Sequence, residues 1–387
     1  MINIIDKRNC CGCHACYNIC PQQCIDMQSD NEGFWYPSIE LDECNDCGLC
    51  DEVCPVTIKD NLIKSIKAYA CINRDEEIRE YSSSGGLFTV VAEHVISQNG
   101  VVFGAGFDNE FNVVHCWTDS VEGLGKFRGS KYVQSCIGDT YNQATGFLKQ
   151  GRQVLFSGTP CQIAGLRSYL GKDYGDLICA DIVCHGVPSP LVWQRYKMQM
   201  EERNQAKTEK ISFRRKNCGW KIYSVSFSFD NNTEYIKPLT EDVYMKGFLR
   251  DLYLRPSCYE CSFKTLNRQS DITLADFWGI QNVLPSFDDD KGTSLVLVNS
   301  SKGAEIFAAI ADKISCREVD VNQAVSCNPS AIKSVDYNPK REKFFKELLG
   351  SEDVSELIKR YTKVDFSKRA YAKIRGLVSR AKRIAMG

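Results

Sequence analysis

Residues 10–21 read CCGCHACYNICP, and residues 44–55 read CNDCGLCDEVCP. Both stretches share the spacing C-x2-C-x2-C-x3-C-P, and they repeat at an interval of 34 residues. The motif cysteines are Cys10, Cys13, Cys16 and Cys20 in the first run and Cys44, Cys47, Cys50 and Cys54 in the second. Three thiolates on one tight loop can bind three irons of a 4Fe-4S cubane, and the fourth ligand then comes from elsewhere. Units this short cannot bury a core of their own, so we expect bound clusters to form the core of residues 1–60.

The double motif resembles that of bacterial-type two-cluster ferredoxins, in which the fourth cysteine of each run binds the other cluster. The resemblance assigns one 4Fe-4S cluster to Cys10, Cys13, Cys16 and Cys54, and a second to Cys44, Cys47, Cys50 and Cys20. Zinc is the alternative, but zinc prefers two C-x2-C pairs that close a tetrahedron. Cys11 and Cys24 lie outside the motif, and we expect both to be packing residues.

Composition places the chain among globular proteins. Its 387 residues are 43% hydrophobic and 25% charged, which predicts two or three domains. The N-terminal residues lack the basic-then-apolar pattern of a signal peptide, so we expect a cytoplasmic protein with reduced thiols. In that compartment, 21 cysteines indicate metal binding rather than disulfides. The best apolar run, LFTVVAEHVI at 87–96, is too short to span a bilayer.

The net charge of −1 hides an asymmetry between the two ends. Residues 1–60 carry 11 acidic and three basic side chains, whereas residues 366–387 carry seven basic side chains and no acidic one. The acidic end suits a basic electron-transfer partner. The basic end predicts an amphipathic helix that either lies peripherally on an anionic membrane or packs on its own protein. Neither end indicates nucleic-acid binding, and the oligomeric state stays open.

The remaining sequence predicts an α+β fold. Residues 68–205 alternate helical stretches with short apolar strands such as VVFGAGF (101–107) and GRQVLFSG (151–158), which predicts an α/β layer. Residues 206–330 contain alternating strands such as YSVSFSFD (223–230), typical of antiparallel sheets, and form the second part of the same catalytic domain. Residues 331–387 are expected to form a helical, basic tail.

Three stretches of small polar residues and glycine fall in the body: 82–86 (SSSGG), 129–132 (GSKY) and 157–160 (SGTP). Glycines allow close backbone approach, and Ser, Thr and backbone N–H groups at a helix start can hold phosphate. Turn formation explains each stretch singly. All three together suit a diphosphate-bearing cofactor.

Four further cysteines occupy positions that favour a site. Cys161 and Cys184 each lie where a predicted strand meets a loop, and Cys258 and Cys261 form a C-x2-C pair. By itself, Cys161 could be a nucleophile, a buried structural residue or a metal ligand. His185 could be a ligand or a hydrogen-bond donor to one.

Seven motifs in order then resemble the beta-subunit family of coenzyme F-420 hydrogenases and dehydrogenases, which includes the plant 7-hydroxymethyl chlorophyll a reductase. They are SSSGG, GSKYVQS, SGTPCQIAGL, DIVCHGVPSP, FRRKNCGW, RPSCYEC and SDITLADFWG, within residues 68–330. The resemblance implies FAD beside a third 4Fe-4S cluster. It implies flavin contacts at Ser83, Ser84, Gly85, Gly86, Gly129, Ser130, Lys131, Tyr132, Thr159 and Pro160, and cluster ligands at Cys161, Cys184, Cys258 and Cys261.

These features predict an iron–sulfur flavoprotein oxidoreductase. Electrons would pass between the N-terminal clusters and FAD, and a hydride would pass to or from a small redox substrate, either deazaflavin-like or a pathway metabolite. The alternative is an electron-transfer subunit of a larger redox complex, without a small substrate of its own. A redox sensor is less favoured because sensors seldom need three clusters. Lys131 is a candidate for holding phosphate or reduced flavin, and no residue is assigned as acid or base.

Overall fold

A computed structural model describes residues 2–57 and 66–363 of the protein. The described helices are α1 (Ala15–Ile19), α2 (Leu49–Glu52), α3 (Glu76–Tyr81), α4 (Leu87–Ser97), α5 (Thr140–Lys149), α6 (Pro160–Leu170), α7 (Pro190–Asn204), α8 (Val243–Phe248), α9 (Ile280–Val283), α10 (Ser301–Ala309), α11 (Val321–Val325), α12 (Arg341–Leu348) and α13 (Val354–Thr362). The described strands are β1 (Ile25–Ser29), β2 (Trp35–Ile39), β3 (Lys67–Asn73), β4 (Val101–Phe107), β5 (Val113–Thr118), β6 (Val154–Gly158), β7 (Leu177–Ile182), β8 (Thr208–Arg215), β9 (Ser224–Phe229), β10 (Glu234–Pro238), β11 (Ile272–Asp276), β12 (Ser294–Val298) and β13 (Ile314–Val319).

Residues 2–57, called the N-terminal module below, consist of one hairpin and two short helices. Strands β1 and β2 pair antiparallel, with Ile25 opposite Ile39. Helices α1 and α2 pack against each other, and each follows a residue in the left-handed conformation, His14 at φ 62° and Gly48 at φ 77°. The two cysteine runs therefore enter equivalent turns.

An eight-stranded mixed sheet organises the body, in the order β13-β3-β12-β11-β7-β6-β4-β5. Strands β11, β7, β6 and β4 run parallel, and antiparallel strands flank them on both sides. Helices α4 and α10 cover one face, while α5, α6 and the N-terminal module cover the other. Because both faces are covered, the central strands read as continuous apolar runs rather than alternating ones.

The two predicted parts of the catalytic domain share this sheet. Residues 68–205 supply the parallel strands β4, β6 and β7. Residues 272–319 supply the fourth parallel strand, β11, together with β12 and β13. Strands β8, β9 and β10 form a separate three-stranded antiparallel sheet, in line with the alternating pattern of YSVSFSFD. The structure therefore shows a mixed α/β fold joined to an N-terminal module.

A second apolar core lies between helix α7, the three-stranded sheet and helix α8, centred on Trp193 and Phe227. Helices α12 and α13 lie in the range predicted to form a helical, basic tail, but they pack into this core through Phe344 and Ile358. The strongly basic residues 366–387 lie outside the described residues. Within the described ranges, no helix combines the length and apolar character needed to cross a bilayer.

Candidate functional site

The N-terminal module contains two cysteine-lined cavities. Cys10, Cys13, Cys16 and Cys54 line the first cavity, and Cys20, Cys44, Cys47 and Cys50 line the second. The fourth cysteine of each run thus lies with the first three cysteines of the other run, because helices α1 and α2 pack side by side. These groupings are the ones that the resemblance to two-cluster ferredoxins predicts, and their role as cluster ligands stays a prediction. Within the described residues, no three Cys, His, Asp or Glu side chains form a single-ion site.

Cys11 and Cys24 also line these cavities, Cys11 the first and Cys24 the second. The Sγ atoms of Cys24 and Cys20 are 3.4 Å apart. The thiols of Cys11 and Cys161 are near enough to shift each other's pKa. Cys11 therefore lies between the first cysteine set and Cys161. Its position beside Cys10 in the sequence indicates the first of these contacts but not the contact with Cys161.

The third cysteine set assembles from three distant segments. Cys161 lies at the start of α6, Cys184 follows β7, and Cys258 and Cys261 flank a turn after residue 256. Burial raises the pKa of Cys258, and the neighbouring thiols of Cys184, Cys261 and Cys161 add to the rise. Burial likewise raises the pKa of Cys184 to about 12. The four thiols are thus mutual neighbours.

Cys161 lacks the surroundings of an activated nucleophile. Its neighbour Cys11 and burial both raise the pKa of the Cys161 thiol well above its usual value. A reactive thiolate needs a lowered pKa, which comes from an adjacent cation or a similar stabilising group. The raised pKa therefore gives no support to a catalytic thiolate, although the nearby Arg255 guanidinium acts in the opposite direction.

A cavity of about 710 Å³ opens at the carboxyl ends of β6, β7 and β11. All three small-residue stretches reach it. Its lining includes Ser83, Ser84, Gly86, Gly129, Ser130, Lys131, Tyr132, Gly158, Thr159 and Cys184. Open α/β sheets commonly bind ligands at this edge. Two of the residues implied as flavin contacts, Gly85 and Pro160, are not part of the lining.

Gly85 lies behind the cavity wall. A Cβ atom at this position would come within 2.5 Å of the Cys71 carbonyl oxygen, so the loop can approach β3 only with glycine there. Gly86 adopts φ +83° and is the N-cap residue that precedes helix α4. Pro160 occupies the first turn of α6, where its missing N–H leaves no hydrogen bond unmade. Gly85 and Pro160 therefore shape the wall rather than face the cavity.

Side chains from the body fix the first loop. The Ser130 N–H donates to Ser83 Oγ at 2.6 Å, which connects the loop at 129–132 to the loop at 82–86. Arg214 donates to the Ser83 carbonyl at 2.9 Å and pairs with Asp276 at 2.8 Å. Lys216 donates to the Ser84 carbonyl at 3.1 Å. Both cations belong to the FRRKNCGW motif, but spacing alone assigns them no role, because their partners lie far away in the sequence.

Several polar atoms in the cavity wall are available to a ligand. Lys131 Nζ donates to the Gly129 carbonyl at 3.2 Å, and burial lowers its pKa to about 8. Burial also lowers the pKa of His115 to about 4, so that its ring is neutral. His115 Nε2 lies 3.0 Å from the Ser157 carbonyl, whereas Nδ1 has no hydrogen-bond partner among the described residues.

The cavity and the third cysteine set meet at Cys184, which belongs to both. The next residue, His185, also lines the cavity, and its Nε2 lies 2.6 Å from Asp251 Oδ1. A group held by Cys184 would therefore be adjacent to a ligand in the cavity. This adjacency connects a metal-binding arrangement with a cofactor-sized space.

Comparisons with known families cover both parts of the chain. Residues 151–324 match the model of the C-terminal part of the coenzyme F420 hydrogenase/dehydrogenase beta subunit. Residues 9–58 match the model of the 4Fe-4S dicluster domain. The first match contains the Cys161, Cys184, Cys258 and Cys261 set, and the second contains all eight motif cysteines.

The curated relatives are similar to the N-terminal part. An uncharacterised ferredoxin of Methanocaldococcus jannaschii is 33% identical over 64 residues, 16% of this chain and 79% of the relative. The 7Fe ferredoxin of Hydrogenibacillus schlegelii is 38% identical over 64 residues, 16% of this chain and 76% of the relative. The pyruvate synthase subunit PorD of Methanothermobacter marburgensis is 38% identical over 52 residues, 13% of this chain and about half of its own length, 54%.

A solved structure is similar over a longer range. A chain of the F420-reducing NiFe hydrogenase complex from Methanosarcina barkeri aligns with a TM-score of 0.48 and 18% identity, covering 76% of this chain and 94% of that chain. Residues 151–324 of this protein belong to the coenzyme F-420 hydrogenase/dehydrogenase beta-subunit family, and residues 9–58 form a 4Fe-4S dicluster domain that marks it as an iron–sulfur electron-transfer protein.

Proposed function

We propose that the protein is an iron–sulfur flavoprotein oxidoreductase. Electrons pass between two N-terminal 4Fe-4S clusters and FAD through a third cluster, and a hydride passes between FAD and a small redox substrate. The observation that carries this proposal is the cavity of about 710 Å³ that the three small-residue loops share with Cys184. Ligand sites of this kind are concave and largely preformed.

The lining of the cavity fits a flavin dinucleotide. Ser83, Ser84, Ser130 and Thr159 offer hydroxyl groups beside small residues, and Lys131 offers a cation for a diphosphate. Nδ1 of His115, which has no partner among the residues that the structure describes, can act as a hydrogen-bond acceptor in the same wall. Bound FAD converts between one-electron and two-electron transfer. The protein's part is to hold it next to Cys184.

The arrangement of the cysteines supports an order for the electron path. Cys11 connects the first cavity with Cys161, so the cluster of Cys10, Cys13, Cys16 and Cys54 is the one nearest the third cluster. The second cavity contains Cys47, which is exposed to solvent. Electrons therefore exchange with a partner at the second cluster and pass through the first and the third clusters to or from the flavin.

The test is cofactor analysis of the full chain purified without oxygen. We expect about twelve irons per chain, four for each cubane, together with one flavin. Lys131→Met should lower the flavin content and leave the iron content unchanged. Lys126→Met is the matched control, because Lys126 is exposed and does not line the cavity. A fully iron-loaded protein that binds no added FAD would overturn the proposal.

A second function is favoured by the exposed end of the N-terminal module. Asp42 and Glu43 lie exposed beside the exposed Cys47. A charged surface next to a solvent-accessible cluster suits a protein partner. In this reading the chain is an electron-transfer subunit and has no substrate of its own. Turnover of a small acceptor by the isolated protein supports the enzyme, and turnover only with a partner present supports the subunit.

A further inference from the structure

Arg255 is a buried cation at the contact between the N-terminal module and the body. Its side chain is 0% exposed. Nε donates to the Cys10 carbonyl at 2.8 Å, and one terminal nitrogen donates to Gln134 Oε1 at 3.1 Å. The other donates to the Trp35 carbonyl at 2.9 Å and to Cys10 Sγ at 3.4 Å. None of these acceptors is a carboxylate.

The other buried arginine at this contact is paired conventionally. Arg341 donates to Glu32 Oε1 at 2.9 Å and to the Leu254 carbonyl at 2.9 Å, and its side chain is 4% exposed. A buried charge is costly unless an opposite charge compensates it. Arg341 has Glu32 for this purpose. Arg255 has instead the sulfur of Cys10 and the nearby thiols of Cys11 and Cys258.

A 4Fe-4S cluster with four thiolate ligands is an anion, and reduction by one electron makes it more negative. A guanidinium beside a ligand sulfur therefore stabilises the reduced form more than the oxidised form. Hydrogen bonds to cluster sulfurs and local charge are known determinants of cluster potential. The same guanidinium lies near Cys258 of the third set, so its field acts on both sides of the contact.

We propose that Arg255 is a positioning residue for electron transfer: it compensates the negative charge of the cluster bound at Cys10 and raises the reduction potential of that cluster. The inference rests on the proposed cluster assignment. With this potential raised, transfer of an electron from the solvent-facing second cluster to the first becomes more favourable. The two hydrogen bonds to backbone carbonyls hold the guanidinium in place for this role.

The test is a potentiometric titration, followed by electron paramagnetic resonance, of the full chain loaded with its clusters. Arg255→Gln removes the charge and should lower the potential of the first cluster while the second cluster stays at its wild-type value. Arg255→Lys keeps the charge and should restore most of the potential. Titration of Cys47→Ser identifies the signal of the second cluster.

Gln134→Glu gives a second measurement in case Arg255→Gln does not load its clusters. This nearly isosteric change leaves Arg255 in place and puts a carboxylate next to it, so the potential of the first cluster should again fall. Arg341→Gln is the control, because it removes a buried arginine from the same contact without touching a cysteine. It should loosen the N-terminal module to proteolysis and leave the potential unchanged.

Wild-type potentials in both Arg255→Gln and Gln134→Glu, or equal shifts of the first and second clusters, would overturn the inference. An equal loss of potential in Arg341→Gln would show that docking rather than charge is responsible. The N-terminal clusters can be titrated whether or not FAD binds. Failure of the flavin proposal is therefore distinguishable from failure of this one.

Discussion

Cys161 occupies the second position of helix α6, with its Sγ 3.1 Å from Thr159 Oγ1 and beside the Cys11 thiol. If it is one of four ligands of a third cluster, Cys161→Ala should lower the iron content from about twelve to about eight per chain. Cys179→Ala is the matched control, since Cys179 is buried in the neighbouring strand β7 and should keep its iron.

The two other roles of Cys161 give different results in the same experiment. A nucleophile would leave the iron count unchanged, abolish activity and be labelled by an alkylating agent in the native protein. If Cys161 is only structural, its replacement by alanine would lower the free energy of unfolding modestly and leave the iron content unchanged. Iron analysis with flavin quantification measures the difference. A wild-type iron count in Cys161→Ala would contradict the ligand assignment.

The neighbours of a residue could be predicted from the sequence where they lie in the same short motif. The repeated C-x2-C-x2-C-x3-C-P pattern places three cysteines on one tight loop, and the resemblance to two-cluster ferredoxins predicts that the fourth comes from the other run. Arg255 and Cys11 were not predictable in this way. Their neighbours, Cys10 for Arg255 and Cys161 for Cys11, come from distant segments, and only the docking of the N-terminal module brings these side chains together.

Helix α6 connects the cavity to the N-terminal module, and Gly165 is its point of closest approach. A Cβ atom there would lie 2.8 Å from Cys13 Cβ and 2.9 Å from Cys13 Sγ. In an exposed helix, replacing glycine by alanine stabilises a protein by up to about 1 kcal/mol. At Gly165 the added methyl group displaces Cys13, so we expect lower stability and a loss of iron from the first cluster.

Gly146 provides the control for this prediction. It lies inside helix α5, and a Cβ atom at Gly146 would meet no other atom within 4 Å. Gly146→Ala should raise the thermal midpoint, whereas Gly165→Ala should lower it and reduce the iron content. An equal rise of the midpoint in both variants would show that α6 does not constrain Cys13. Thermal unfolding and iron analysis of the anaerobic proteins decide between these outcomes.

At the level of elements, sequence periodicity predicts where single strands lie along the chain, but it does not predict which strands pair with each other. The strands VVFGAGF and GRQVLFSG occur where the pattern places them, as β4 and β6, although β6 begins only at Val154. The order of the sheet could not be predicted, because β3 pairs with β12 and β13, more than 200 residues later. Pairings between such distant strands depend on the packing of the helices over both faces, which no short window of sequence contains.

At the level of the molecule, the N-terminal module is fixed against the body in one orientation. Phe34 enters the body's apolar core, Glu32 pairs with Arg341, and Asn18 donates to the Gly138 carbonyl at 2.8 Å. This docking turns the first cysteine cavity towards Cys161 and leaves Cys47 of the second cavity exposed. The acidic composition of residues 1–60 predicts a negatively charged surface on the N-terminal module. The docked position of the module leaves the second cavity, rather than the first, accessible to a partner.

Electron exchange with a basic partner should therefore depend on the acidic side chains around Cys47. Opposite charges steer association, and the effect fades when ionic strength shortens the screening length to about 8 Å. We expect the reduced protein to transfer electrons to oxidised cytochrome c several-fold more slowly as salt is raised, and Glu43→Lys to slow the low-salt reaction in the same way. Glu305→Lys makes an identical charge change at an exposed site on helix α10, across the sheet from the N-terminal module, and should leave the rate nearly unchanged. Stopped-flow rates at several salt concentrations measure the effect. Equal slowing by both variants would mean that net charge, rather than the surface around Cys47, governs the encounter.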